Sequence, residues 1–332
     1  MWWGSGRVSA VRFIVYGAGA IGGVVGGRLF EHGHEVVLIA RGDHARVIAA
    51  DGLRIVSADD SVVLETPVVE HPSALEARAD DIVLLSMKSQ DTRGALDALV
   101  ATWPRSTPIV CVQNGVENER AALRRFAHVY GACVMCPAGH LEPGVVQAHS
   151  TPISGLLDVG RYPHGTGEVA EQVVAALSSS TFDSHTEPEI MRWKYGKLLT
   201  NLGNAIEVVC GRPARGGPIG KLVRAEGRAV LDAAGIDAIS DDEDRNRRGD
   251  LLTRKPIDGR ARSGASSWQS LARRTVSIES DFLNGEIVLL GRRHRVPTPV
   301  NELLQQLAVD LAVRRRPPAE MTEDDFLALL PG

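Results

Sequence analysis

The 332-residue chain has only four cysteines, 5% aromatic residues and a net charge of -4, from 37 Lys plus Arg against 41 Asp plus Glu. So few cysteines in a chain this long exclude a disulfide scaffold and make a reducing compartment, the cytoplasm, the default. The balanced charge offers neither the basic stripe that nucleic acid demands nor the polybasic cluster that draws a protein to an anionic membrane. No run of 18 apolar residues occurs, so no transmembrane helix is expected. Internal repeats and low-complexity tracts are missing, as are the G-x-S-x-G elbow of a hydrolase and any His triad. Residues 1–10, with Trp2 and Trp3, lack the apolar stretch of a signal peptide and are read as a loose leader.

What the chain does have is length, a 44% hydrophobic share and a regular alternation of patterns. At about 150 residues per domain, two domains are expected. β-Rich runs at 11–16, 35–40, 82–86 and 108–112 alternate with helical patterns at 20–31 and 117–126. This rhythm predicts a mostly parallel sheet covered on both faces. Residues 145–159 read as weaker strands that extend the sheet. Beyond about Thr186 the spacing turns helical, over 188–209, 220–234, 267–293 and 300–314, with a charged loop or at most a short helix at 241–259. The boundary is expected between Leu177 and Pro188, giving a sheet domain over 11–184 and a helical domain over 185–332.

Gly17-Ala18-Gly19-Ala20-Ile21-Gly22 follows the first strand at once and opens the first helix. A bare G-x-G-x-x-G is weak, but these flanks are the ones a dinucleotide fingerprint requires. Gly17 allows the tight turn, Gly19 removes a side chain where backbone must approach pyrophosphate, and Gly22 lets helix and strand pack closely. The helix N-terminus, from Ala18 through Ile21, offers free amides and a partial positive charge. The alternative is a glycine-rich turn in an unrelated α/β protein. The fold class expected is therefore α/β, an N-terminal Rossmann-type doubly wound sheet followed by an all-α C-terminal domain. After the second strand an NAD site would place Asp or Glu; here Arg41 stands, then Gly42. A guanidinium binds a 2′-phosphate that a carboxylate would repel, which predicts NADP(H). The alternative for Arg41 is a solvated surface side chain, with Asp43 two residues on.

Within 193–204, a helical wheel at about 100° per residue puts Asn201 and Asn204 within roughly 40° of Lys197. Tyr195, Leu198, Leu199, Leu202, Ile206 and Val209 take the opposite, core face, while Gly196 and Gly203 share a third suited to close approach of another backbone. A solvated face would favour Glu, Lys and Arg; asparagine is a poor interior helix former. Two asparagines in line with a lysine point instead to a ligand that needs neutral donors and acceptors beside one ammonium.

At this point the residues resemble a family, the ketopantoate reductases (2-dehydropantoate 2-reductases), over nearly the whole chain. The glycine motif and Arg41 match its NADPH-binding half, and Ser86-Met87-Lys88-Ser89 is similar to its Val-Lys-Ser segment. Gln113-Asn114-Gly115 resembles its Gln-Asn-Gly motif, and Ala138 follows at the family's spacing. Lys197 with Asn201 resembles the catalytic lysine and a substrate-binding asparagine. Ser266-Ser267-Trp268 and Glu279-Ser280-Asp281-Phe282-Leu283-Asn284-Gly285 resemble the C-terminal signature. The resemblance implies that Lys88, Ala138 and Glu279 lie at the cofactor, that Asn114 contacts cofactor and substrate, that Asn201, Asn204 and Ser267 bind substrate, and that Lys197 and Glu279 are catalytic. Two departures fall in the substrate pocket. The family's next asparagine lies four residues after the Asn201 position, where this chain has Ala205, and the stretch 210–215 carries no asparagine.

A 2-oxo acid reductase needs a hydride donor, a proton donor and a carboxylate anchor. NADPH supplies the first. Lys197 polarises the carbonyl and protonates the alkoxide, helped by desolvation in a closed cleft, with Glu279 holding it charged and oriented. Ser267 and Asn201 bond carboxylate and hydroxyl groups, and Lys88 and Asn114 hold the nicotinamide ribose side. Ser267 or Ser266 as a helix N-cap, and Glu279 as an exposed helix charge, are the plainer readings. Cys133 and Cys136 form a C-x-x-C, but beyond His140 nothing completes a zinc set, so buried strand cysteines and no metal are expected. Cys111 and Cys210 read as core, Trp193 and Trp268 as packing anchors, and the 314–316 arginines as a solvated helix end.

The function expected is NADPH-dependent reduction of a small-molecule 2-oxo acid to the 2-hydroxy acid, 2-dehydropantoate to pantoate in pantothenate biosynthesis. The alternatives are an NADP-dependent oxidoreductase of the same fold with a different substrate, and a catalytically silent NADPH-binding sensor. The family implies a homodimer.

Overall fold

Val15, Ile14 and Phe13, the middle of one five-residue strand, are all at most 1% exposed. That strand is the hub of the main sheet in the computed structural model, which describes residues 11–260, 264–273, 276 and 278–330. The expected leader lies outside the described residues.

The first half runs β1 (Arg12–Tyr16), α1 (Ala20–Glu31), β2 (Glu35–Ile39), α2 (Gly42–Asp51), β3 (Leu53–Ser57), β4 (Ser61–Leu64) and β5 (Val68–Val69). It continues through β6 (Asp81–Leu85), α3 (Ser89–Thr102), β7 (Ile109–Cys111), α4 (Asn118–Leu123) and β8 (Val129–Met135). Then come β9 (Ala138–Gly139), β10 (Val145–Ala148), β11 (Ser150–Pro152), β12 (Gly155–Arg161), α5 (Glu168–Ser178) and β13 (Phe182–Asp183). Eight strands form the main sheet in the order β13-β12-β8-β7-β6-β1-β2-β5. All neighbours are parallel except β12 against β8. Separate apolar clusters cover its two faces, one built around α1 and α5 and the other around α3 and α4. This is the doubly wound arrangement that the sequence predicted.

The chain leaves β1 toward β2 on one side and reaches β6 on the other, so a crevice opens at the carboxyl ends of β1 and β6. Helix α1 lies between this sheet and a second one, ordered β4-β3-β10-β9. Its small residues make that possible. A Cβ on Gly26 would come within 2.7 Å of Leu38 in the main sheet, and one on Gly27 within 2.6 Å of Ile55 in the second. Residues 145–159 are thus more than a sheet extension: β10 joins the second sheet, and β12 is a buried strand of the first.

The second half contains α6 (Ile190–Asn201), α7 (Gly203–Val209), α8 (Pro218–Ala233), α9 (Asp241–Arg248), β14 (Leu252–Arg254), α10 (Ser266–Ala272), α11 (Asn284–His294), α12 (Pro299–Val313) and α13 (Glu323–Ala328). It has its own core, from Leu198 and Ile206 to Leu304 and Phe326. Two expected helices divide. The 188–209 helix breaks at Leu202, and the 267–293 helix becomes α10, a 3-10 turn at Glu279–Phe282 and α11, with residues 274, 275 and 277 outside the described set. Region 241–259 holds the short helix that was allowed for, and also a strand that was not expected. Strand β14 pairs antiparallel with β11, Arg254 opposite Ser150, so the helical half carries one strand that reaches back to the first half.

Candidate active site

One cleft of about 1460 Å³ collects most of the residues singled out in the sequence. Gly17, Ala18, Gly19, Ala20 and Ile21 line it from the β1–α1 turn, Arg41 from the end of β2, and Lys88 from the end of β6. Asn114 and Ala138 line its middle, and Lys197, Asn201, Asn204 and Glu279 come from the second half.

The glycine turn has the shape the motif demands. Gly17 sits at φ +100°, a region an L side chain rarely adopts, and a Cβ there would meet the Met87 backbone nitrogen at 2.5 Å. A Cβ on Gly22 would lie 2.3 Å from both the Gly17 carbonyl and Ser86 Oγ, so the third glycine seals helix to turn. At Gly19 a Cβ would meet nothing within 4 Å, which leaves open space where a phosphate would approach. The Gly23 amide bonds the Gly19 carbonyl at 2.6 Å, and the Ala18 and Gly19 amides are taken by the Ile39 and Gly17 carbonyls, so the amides of Ala20, Ile21 and Gly22 are the free ones of a helix start. These residues fit a dinucleotide pyrophosphate. His44 supports the turn from α2: its Nδ1 accepts from the Gly144 amide (2.8 Å), so its Nε2 donates to the Ala18 carbonyl (2.7 Å). Burial lowers its pKa and keeps that ring neutral. Sequence reasoning missed His44, because nothing at three residues past Arg41 announces a prop for a loop 26 positions earlier.

Lys197, Asn201 and Asn204 face the cleft together, as the wheel predicts, while Leu198, Leu199, Leu202, Ile206 and Val209 are buried in the helical core. Lys197 is half-buried. Desolvation, reinforced by Arg248 and Arg254, lowers its pKa to about 8. Asn201 donates from Nδ2 to Asn114 Oδ1 (3.0 Å), which joins the two halves across the cleft. The Asn114 carbonyl accepts from Asn118 Nδ2 (3.0 Å), and Gln113 Nε2 bonds the Met87 carbonyl (2.9 Å) and Thr92 Oγ1 (2.7 Å), so this loop is held against the β6 end. Gly196 admits the side chain of Ile239, with a Cβ there 2.3 Å from its Cγ1, and the Ile239 carbonyl lies farther off at 3.3 Å. Gly203 likewise admits the side chain of Arg215 rather than a backbone, with a Cβ there 2.9 Å from Arg215 Nε.

Three site expectations change in the structure. Glu279 does not partner Lys197. Its Oε1 accepts from the Ser89 amide (3.4 Å), its Oε2 from Ser266 Oγ (3.3 Å), and its charge opposes the lowering of the Lys88 pKa by burial. Ser267 is 1% exposed and does not line the cleft; Ser266 and Ser270 of the same helix do. Lys88 Nζ donates to Ser270 Oγ. The helix N-cap is Ala265, so neither serine caps by its side chain. Cys133 is a buried strand cysteine, but Cys136 lies past the end of β8 and lines the cleft.

Lys194, three residues before Lys197, also escaped the sequence reading, although its place one turn earlier beside the polar stripe was a usable signal. It is buried. Its Nζ lies 2.5 Å from Glu119 Oε1 and donates to the Gln113 carbonyl (2.8 Å) and the Ala132 carbonyl (3.3 Å). Gly131 leaves room for the pair: a Cβ there would be 3.2 Å from Glu119 and 3.3 Å from Lys194.

A doubly wound sheet with a glycine turn at its switch point, faced by a lysine-bearing helix across a cleft, defines a two-lobed α/β oxidoreductase. Family models agree over most of the chain: "Ketopantoate reductase PanE/ApbA" matches residues 13–164 and "Ketopantoate reductase PanE/ApbA C terminal" residues 189–311. The chain belongs to the ketopantoate reductase PanE/ApbA family. It is 26% identical over 309 residues to the 2-dehydropantoate 2-reductase of Pyrococcus horikoshii, covering 90% of this chain and 96% of that one. It is 28% identical over 318 residues to the enzyme of that name from Halobacterium salinarum, covering 92% and 99%. The crystal structure of a PanE/ApbA family ketopantoate reductase from Ralstonia eutropha JMP134 superimposes with a TM-score of 0.75 at 28% identity, covering 92% of this chain and 99% of the other. D-Mandelate dehydrogenase, in a ternary structure with NADH and anilino(oxo)acetate, shares the fold with a TM-score of 0.78 at 22% identity, covering 92% and 99%.

Proposed function

We propose that this protein reduces the keto group of a 2-oxo acid with NADPH, and that the sheet domain (11–184) holds the cofactor while the helical domain (185–332) supplies the acid. The observation that carries the reading is Lys197, an ammonium with a pKa near 8, in line with Asn201 and Asn204 and in the same cleft as the glycine turn. NADPH, when bound, supplies the hydride. The amides of the β1–α1 turn would hold its pyrophosphate, and Arg41 its 2′-phosphate. Arg41 is 72% exposed and only 3.5 Å from the exposed Asp91, a weak surface pair that leaves the guanidinium available. Lys88, Asn114, Ala138 and Glu279 would border the nicotinamide side.

Lys197 Nζ donates a hydrogen bond to the keto oxygen and so draws charge from the carbonyl carbon. Lys197 would pass its Nζ proton to that oxygen to balance the hydride that NADPH would supply, giving the 2-hydroxy acid, and solvent would reprotonate the amine. Asn201 and Asn204 orient the substrate. 2-Dehydropantoate is the substrate suggested by the names of the relatives. A different 2-oxo acid is the second reading, favoured by Ala205, where the family has an asparagine, and by the 210–215 stretch, which carries Arg212 and Arg215 but no asparagine.

Oxidation of NADPH and of NADH, each with 2-dehydropantoate and a panel of 2-oxo acids, tests the proposal. Lys197→Ala should lower kcat by more than about a hundredfold. Turnover within tenfold of the parent would remove the proposed acid. Arg41→Ala should raise KM for NADPH at least about tenfold while leaving that for NADH unchanged, since it removes one charge-assisted contact. An unchanged ratio would remove the NADP assignment.

A further inference from the structure

The cleft does not end at Lys197. Beyond Asn204 its wall is formed by Arg212 and Arg215 from the turn after α7, Arg248 from the end of α9, and Arg254 from β14. Carboxylates answer only two of these. Arg215 pairs with Glu207 (3.0 Å) and Arg248 with Asp244 (2.8 Å). Among the described residues, no acidic side chain pairs with Arg212 or Arg254, and Nη2 of Arg248 is buried without a hydrogen-bond acceptor. The position of Arg254 is set by the backbone ladder that pairs it with Ser150. Arg212 and Arg254 are themselves exposed, and the pKa of Arg254 is lowered, first by partial desolvation and then by the positive charges of Arg212, Arg248 and Arg215.

Unneutralised guanidiniums in one wall repel each other, and that repulsion is relieved when an anion binds between them. Arginine also presents paired N–H donors matched to carboxylate or phosphate oxygens. A neutral hydroxyl would need no such concentration of charge. We propose that this end of the cleft is an anion subsite, and that the substrate is a 2-oxo acid carrying a second anionic group, a carboxylate or a phosphate, seated on Arg254 and Arg212. The proposal rests on the 2-oxo acid reading and names the substrate class of the same site.

Two measurements test it with NADPH-saturated protein. In the first, kcat/KM is compared for 2-oxoglutarate, 3-phosphohydroxypyruvate and 2-dehydropantoate in the parent, Arg254→Gln and Arg212→Gln, with thermal melts to check folding. A dianionic substrate should be preferred, and each substitution should lower the ratio of dianion to monoanion at least about thirtyfold. The better of the two dianions identifies the group. Preference for 2-dehydropantoate, or an equal loss for all three acids, overturns the proposal, because arginines that hold only the shared 2-oxo carboxylate cannot change that ratio. In the second, glutarate, 3-phosphonopropanoate and butyrate are titrated calorimetrically. Binding of a dianion but not butyrate, lost in Arg254→Gln, supports the subsite even if no acid is reduced, in which case the reductase reading alone falls. Turnover of monoanionic acids without dianion binding leaves the reductase reading standing and overturns the subsite.

Discussion

Lys197 shows how one side chain acquires its chemistry. Free in water, its ammonium would remain charged to about pH 10. Half-buried, with Arg248 and Arg254 nearby, it titrates near 8. Burial and like charge both favour the neutral amine, so the acid form needed for reduction is full below that pH and is lost as pH rises through it. For the reductive direction, kcat/KM is expected to fall about tenfold per pH unit above roughly pH 8, and Arg254→Gln should move this limb upward by removing a neighbouring positive charge. A limb unmoved in that variant, or sited near pH 10, would separate Lys197 from the observed ionisation. At this scale the sequence was partly legible. Lys197, Asn201 and Asn204 lie along one stretch of helical spacing, and a wheel needs no knowledge of neighbours. Ser267 and Glu279 depended on how distant elements dock. Ser267 turned into the protein and Glu279 went to Ser89, Ser266 and the Lys88 side of the cleft.

Helix α6 does two jobs, and only one could be read from its own residues. Its cleft face presents Lys197. One turn earlier, Lys194 enters the sheet domain, meets Glu119 of α4 and holds the Gln113 carbonyl next to Asn114. Burial raises the Glu119 pKa and Lys194 lowers it. Removing the lysine leaves a carboxylate buried alone. Lys194→Met should therefore destabilise the protein by about 3–5 kcal/mol in denaturant melts, and adding Glu119→Gln should recover much of the loss. A cycle in which the two losses simply add would show that the groups do not interact. The same substitution should raise KM, since the Asn114 loop loses its anchor. Element types in the first half followed from periodicity, because β1, β2 and β6 are buried on both faces and read as continuous apolar runs. The short β5, β9 and β13 are two residues each, too brief for any periodic signal. The breaks at Leu202 and at the Glu279–Phe282 turn interrupt spacing that remains helical on both sides.

The cleft as a whole exists because the two halves are tied at several points. Arg247 of α9 grips Asp158 of β12 with Nε and Nη2 at 2.7 and 2.6 Å, and its Nη2 also reaches Asp183 at 2.6 Å. Strand β14 joins β11 beside it. Arg247→Leu would leave the buried Asp158 without its main partner, so a loss of about 3 kcal/mol is expected, with faster proteolysis within 241–260 and a larger rise in KM for the oxo acid than for the cofactor. An unaltered digestion pattern would argue that the ladder alone holds this segment. The sequence by itself determined the alternating elements of the first half, the phosphate turn and the lysine stripe, because each is a local pattern whose physics is complete within about 20 residues. Only the tertiary structure decided what surrounds them. The arginine wall, the buried Lys194–Glu119 pair and the partners of Glu279 join residues up to 190 positions apart, and the charge and water content of a cleft are properties of all its walls together.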